Sequence, residues 1–246
     1  MPRFFVPDGA FDPATNTVTV MGEDARHIAR SLRMAVGDTV TVCSYEGQAF
    51  FCRLSHIRDD AVTAEIVAPC PKTGESPVSI RLFMAYPKGD KLETVIQKAV
   101  ELGASRITPF ESEHCIKRPQ KDKLDARLSR WNRIATEAAK QCGRSLLPTV
   151  DAPLTFGEML REARQSALPL FCYEADGTVS LKEVLCTRGE VGSIAVIIGS
   201  EGGFSPKEAA SAIAAGCVPV NLGPRILRCE TAPAYALSAL SYFYEL

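Results

Sequence analysis

Two short stretches near the C-terminal end hold the residue types of a ligand site. Gly199-Ser200-Glu201-Gly202-Gly203 sets a carboxylate among three glycines. Gly223-Pro224-Arg225-Ile226-Leu227-Arg228-Cys229-Glu230-Thr231-Ala232 adds two arginines and a second carboxylate. Glycines let backbone come close to a bound molecule. Neither stretch has the spacing G-x-x-x-x-G-K-[ST] or G-x-G-x-x-G, so the two common phosphate-binding signatures fail. Glu201 would repel phosphate. It suits a ligand with a positive charge or with sugar hydroxyls to donate, and S-adenosylmethionine has a sulfonium, an ammonium and a ribose. A tight turn that binds nothing explains the first stretch, taken alone, equally well.

The flanking residues show which elements would position these turns. Ser193-Ile194-Ala195-Val196-Ile197-Ile198 is a short β-branched run of the kind found in buried parallel strands. Ser205-Pro206-Lys207-Glu208 has an N-cap, a proline at the first helical position and the S-x-x-E capping box. Residues 218–222 read as another strand and 233–245 as another helix. Both turns therefore sit at strand-to-helix junctions, and open α/β sheets bind ligands at that end of their strands.

The chain has 246 residues and a net charge of −1, so nucleic-acid binding would need a local basic patch. No apolar run approaches the ~20 residues of a membrane helix. The opening residues lack the apolar core of a signal peptide, which predicts a cytoplasmic protein. Nine cysteines occur without a C-x-x-C pair, and His27, His56 and His114 have no metal-ligand spacing. Reduced thiols and no metal site are expected.

Residues 1–70 alternate polar and apolar types at 17–20, 39–42 and 61–67, with a further strand at 50–54, which predicts a small antiparallel β-barrel or sandwich. One helix is expected over 24–34 with Asp24 as its N-cap; it carries Arg26, Arg30 and Arg33 on one face. Residues 71–77 are rich in Pro, Gly and polar types and form the expected linker. From 78 to 246 strands and helices alternate, which predicts a mostly parallel sheet with helices on both faces. The helix 124–142 has an apolar stripe, with Lys123, Arg127, Arg130 and Arg133 on its flank. Residues 114–144 contain nine Lys/Arg and three acids, a local charge of +6. Such an excess is either a solvated helix face or a phosphate-binding surface.

The paired motifs I-G-S-E-G-G-F-S-P-K-E and N-L-G-P-R-I-L-R-C-E-T-A resemble those of the RsmE family in the SPOUT superfamily. H-x-x-R-S-L-R-M-x-x-G-D at 27–38 and E-A-x-x-Q-x-G-R at 137–144 are similar to the same family, and the resemblance runs from residue 3 to the C-terminus. It implies a trefoil-knotted methyltransferase domain, an N-terminal PUA-like RNA-binding domain and a homodimer. The implied activity is transfer of a methyl group from S-adenosylmethionine to N3 of a uridine in bacterial small-subunit (16S) ribosomal RNA. The implied cofactor residues are Gly199, Ser200, Glu201, Gly202, Leu222, Gly223, Ile226, Leu227, Arg228 and Thr231, with backbone near Tyr173. The family more often carries Thr where Cys229 stands.

Methyl transfer from a sulfonium needs position and an electron-rich acceptor. N3 of uracil carries a proton, so the enzyme must help remove it or stabilise charge on the ring oxygens. Arg228 and Arg144 suit the second task, since guanidinium stays charged. Glu230 suits the first. Two other readings remain open: a relic pocket on an RNA-binding protein, and methylation at another base position through a Cys142 or Cys229 thiolate.

Overall fold

The computed structural model describes residues 1–71, 74–116, 121–175 and 177–246. Lys72 and Thr73 of the expected linker, and Lys117 and Arg118 of the basic segment, lie outside the described residues, as does the side chain of Lys121. The chain forms two compact units, 1–75 with 139–147 and 76–138 with 148–246.

The first unit contains β1 (Arg3–Val6), β2 (Phe11–Asp12), β3 (Thr17–Met21), β4 (Thr39–Ser44), β5 (Ala49–Ile57) and β6 (Ala61–Pro69) in the order β1-β4-β5-β6-β3-β2. Period-2 alternation builds its core: Val18 and Val20 are buried while Thr17 and Thr19 face partly outward. Phe4, Val40, Val42, Leu54, Val62 and Ile28 complete the cluster. β1 pairs parallel to β4, and the other pairings are antiparallel.

Helix α1 (Gly22–Arg26) is shorter and begins earlier than expected, and it continues as a π-helical turn over His27–Ser31. Its N-cap is Met21, not Asp24, and no side chain caps it. Asp24 instead accepts a hydrogen bond from Lys140 Nζ at 2.7 Å. Gly22 adopts φ +69°, and the helix begins there, two residues ahead of Asp24.

The second unit is built on β7 (Ser79–Ala85), β8 (Arg106–Glu111), β9 (Thr149–Val150), β10 (Leu154–Thr155), β11 (Leu168–Cys172), β12 (Val179–Ser180), β13 (Ser193–Ile198) and β14 (Val218–Asn221). Its order is β10-β8-β7-β13-β11-β14-β12, with β9 also on β8, and every pairing is parallel. The helices are α2 (Lys91–Glu101), α3 (Leu124–Cys142), α4 (Phe156–Ala163), α5 (Leu181–Arg188), α6 (Pro206–Ala214) and α7 (Thr231–Glu245). Central strands β7, β11 and β13 are almost wholly buried, as a sheet covered on both faces requires. α7 packs on α2 and β13. No described helix is long and apolar enough to cross a membrane.

Candidate active site

β13, β11 and β14 are consecutive neighbours, so their C-terminal ends lie side by side. The segments leaving all three line one cavity of about 700 Å³. That volume lies within the ~300–1,000 Å³ usual for cofactor sites, outside the C-terminal ends of the strands where such sites occur.

The first turn is held by the start of α6 and by the turn after β8. Ser205 caps α6 by accepting from Glu208 N at 3.3 Å, and the Glu208 carboxylate accepts from Ser205 N at 3.0 Å. Buried Glu208 also accepts from Glu113 N at 2.8 Å, tying α6 to the turn after β8. His114 Nδ1 donates to Gly202 O at 2.8 Å. A Cβ on Gly202 would lie 2.9 Å from His114 Cβ, so only glycine fits there without a shift. In the second turn Gly223 takes φ +102°, and its N–H donates to Asn221 Oδ1 at 3.2 Å. Arg228 O accepts from Thr231 N and Ala232 N at 2.8 and 2.9 Å, which starts α7.

Glu201 and Glu230 come from different turns and meet one cation. Lys91 Nζ lies 3.2 Å from Glu201 Oε1 and 3.1 Å from Glu230 Oε2. Burial pushes the Glu201 carboxyl up, but its own N–H, Lys88 N–H at 3.1 Å and Lys91 together hold it below the usual carboxylate range. Glu230 is held low first by its own N–H, then by the Cys229 thiol, which donates at 3.2 Å, and by Lys91. The two carboxylates in turn raise Lys91, Glu230 acting more strongly than Glu201. Burial and the neighbouring carboxylates push the Cys229 thiol up to about 12, so it is a protonated donor at neutral pH. A threonine hydroxyl would be a stronger donor at this place.

The cavity is lined by Gly199, Ser200, Glu201, Gly202, Leu222, Gly223, Ile226, Leu227, Arg228 and Glu230. Thr231 is exposed at the start of α7 and is not among the lining residues. Ile226 is 82% exposed, so its side chain points largely to solvent. Ser200 Oγ is buried without a hydrogen-bond partner among the described residues. The nearby Cys115 thiol, raised by burial, is only a weak neighbour for it. A buried hydroxyl beside two ionised carboxylates fits a polar, cationic ligand.

Arg144 belongs to the first unit. Its Nη2 donates to Glu75 Oε2 at 2.7 Å, and Glu75 Oε1 also accepts from Ser145 N and Leu146 N at 2.7 and 2.8 Å. Arg26, Arg30 and Arg33 are exposed in the first unit, with Arg30 Nη2 on Asp59 Oδ2 at 2.5 Å. In the second unit Lys123 is exposed in the 3-10 turn before α3, and Arg130 and Arg133 are exposed on α3; Arg130 pairs with Glu93 at 2.7 Å. Arg127 Nη1 donates to Tyr86 Oη at 2.7 Å. Sequence reasoning missed Lys91 as a pocket residue. It reads as a helix opener, and its partners lie more than a hundred residues away.

The RNA methyltransferase domain family matches residues 74–241, and the RNA methyltransferase PUA domain matches 21–67. Ribosomal RNA small subunit methyltransferase E of Bacillus subtilis (strain 168) is 34% identical over 94% of this chain and 91% of its own. The chain belongs to the ribosomal RNA small subunit methyltransferase E family. The Synechocystis member is 35% identical over 93% of this chain and 74% of its own. The member from Neisseria gonorrhoeae, solved bound to S-adenosyl methionine, superposes with a TM-score of 0.87 at 31% identity, covering 99% of this chain and 98% of its own. Membership makes the protein an RNA methyltransferase with an N-terminal PUA-like domain, and the α/β unit with its parallel sheet is the methyltransferase domain of that family.

Proposed function

We propose that this member of the family transfers a methyl group from S-adenosylmethionine to N3 of a uridine in small-subunit ribosomal RNA, acting in the cytoplasm as a homodimer. The observation that carries this is the single cavity formed by two glycine turns, with two carboxylates held ionised inside it. S-adenosylmethionine supplies an electrophilic methyl group on a sulfonium. Gly199, Ser200, Glu201 and Gly202 would hold it from one side, and Leu222, Gly223, Leu227 and Arg228 from the other; Ile226 and Thr231 contribute backbone. The second unit adopts the trefoil knot of its superfamily in this reading, with 78–246 as the catalytic domain, 71–77 as the linker and 1–70 as a PUA-like barrel for RNA.

Glu230 accepts the N3 proton, since a carboxylate that stays ionised is ready as a base. Arg228 donates to the ring oxygen where negative charge develops. Arg144 is assigned to stabilising the first unit through Glu75. Arg26, Arg30, Arg33, Lys123, Arg127, Arg130 and Arg133 hold RNA phosphates. The upward shift of the Cys229 thiol disfavours a thiolate attack on a base carbon. Mass spectrometry of ribosomal RNA nucleosides tests the proposal. A strain lacking its own family member should regain 3-methyluridine when this chain is expressed; methylation at another atom would overturn the site assignment.

A further inference from the structure

We infer that Lys91 is a positioning residue of the reaction: its ammonium joins the two turns of the cavity and orients the Glu230 carboxylate to take the proton from the substrate nitrogen. The inference rests on the function proposed above. Lys91 is the first residue of α2 and lines the cavity, yet it belongs to neither glycine turn. It reaches Glu201 in one turn at 3.2 Å and Glu230 in the other at 3.1 Å. Lys88 N, on the approach to the same helix, donates to Glu201 Oε1 at 3.1 Å. The start of α2 therefore ties both turns.

Two carboxylates facing one cavity disfavour each other's ionised form unless a cation stands between them. Lys91 is placed to do this, since an ammonium has three donors and no acceptor. The groups acting on Glu230 are Cys229 beside it and Lys91 from α2, and Glu201 from the first turn acts on both Cys229 and Lys91. Arg225 and Arg228 line the same cavity from Glu230's own turn. Lys91 and Cys229 both engage Glu230 Oε2, so the carboxylate is held through that one oxygen. In the step, the nitrogen–hydrogen bond breaks and the proton goes to Glu230. The pair left on nitrogen bonds the methyl carbon, whose bond to sulfur breaks with its electrons staying on sulfur.

The test compares Lys91→Met, Lys91→Arg and Glu230→Gln with wild type. Methylation of small-subunit ribosomal RNA from a strain lacking the modification is measured from pH 5.5 to 8.5. Carbon-13 NMR of glutamate-labelled protein monitors the Glu230 carboxyl without cofactor, with Glu230→Gln identifying its resonance. The sign is set by Glu230 lying below its ordinary range: the carboxylate is lost as pH falls, and without Lys91 it is lost at a higher pH. Lys91→Met should move the carbon-13 titration upward and lower the rate at the acid end of the profile relative to that at pH 8.0. Lys91→Arg should restore both profiles toward wild type. An unmoved titration with a pH-independent loss in Lys91→Met, while Glu230→Gln is impaired, overturns the inference alone. Full activity in Glu230→Gln overturns the proton-acceptor assignment and the inference with it.

Discussion

Arg144 Nη2 and Glu75 Oε2 lie 2.7 Å apart with their side chains only 3% and 11% exposed. Removing one member of a buried pair leaves the other charged and unmatched, at a cost of about 3 kcal/mol. Arg144→Met should therefore lower the melting temperature measured by thermal denaturation, and Arg144→Met with Glu75→Gln should lose less than the sum of the two single changes. Unchanged melting with lost turnover would return Arg144 to the catalytic machinery.

Arg228 differs in every respect that matters. It is exposed and lines the cavity. Arg228→Ala should cut turnover by about a hundredfold, the usual loss of a donor to developing charge. Its stability change should stay within about 0.5 kcal/mol, as for other surface substitutions. Wild-type turnover in the initial-rate assay would remove Arg228 from the mechanism.

Gly202 faces His114 so closely that a methyl group cannot enter without moving the turn. Gly202→Ala should weaken S-adenosylmethionine binding by about tenfold, consistent with a ~1–3 kcal/mol overpacking cost. Isothermal calorimetry reads this directly, and unaltered affinity would show that the turn does not touch the cofactor.

The α3 arginines test the RNA surface. Arg127→Gln, Arg130→Gln and Arg133→Gln together should reduce the slope of log affinity against log salt by about 2–3, if each contacts a phosphate. Filter binding at several salt concentrations measures it. An unchanged slope assigns the three to a solvated face, held by Tyr86 and Glu93 in the cases of Arg127 and Arg130.

Cys229→Ser and Cys142→Ser should both retain methylation, since the Cys229 thiol is pushed up to about 12 and gives little thiolate at neutral pH. Loss of activity in either, with cofactor binding intact, would revive a covalent route.

Local signals were legible wherever one short stretch decides the structure. The apolar stripe of α3 gives its bounds, the β-branched run gives β13, and Ser205 with Glu208 closes the capping box as its spacing predicts. The two glycine turns were legible as junctions, and parallel pairing brings them to one cavity. Pairings between distant stretches were not legible. β1 joins β4 about forty residues away, Asp24 binds Lys140 instead of capping its helix, and Glu75 claims Arg144. Lys91 escaped notice for the same reason: its role arises only when α2 and the two turns meet.

The first unit is not a continuous stretch of chain, because residues 139–147 complete what 1–75 begin. Buried Arg144 arrives only with that second piece. A nascent chain emerging from the ribosome thus carries an unfinished first unit until residue 147 has been delivered. A gene fragment stopped at 75 would make a polypeptide short of its own closing segment, open to proteolysis and aggregation.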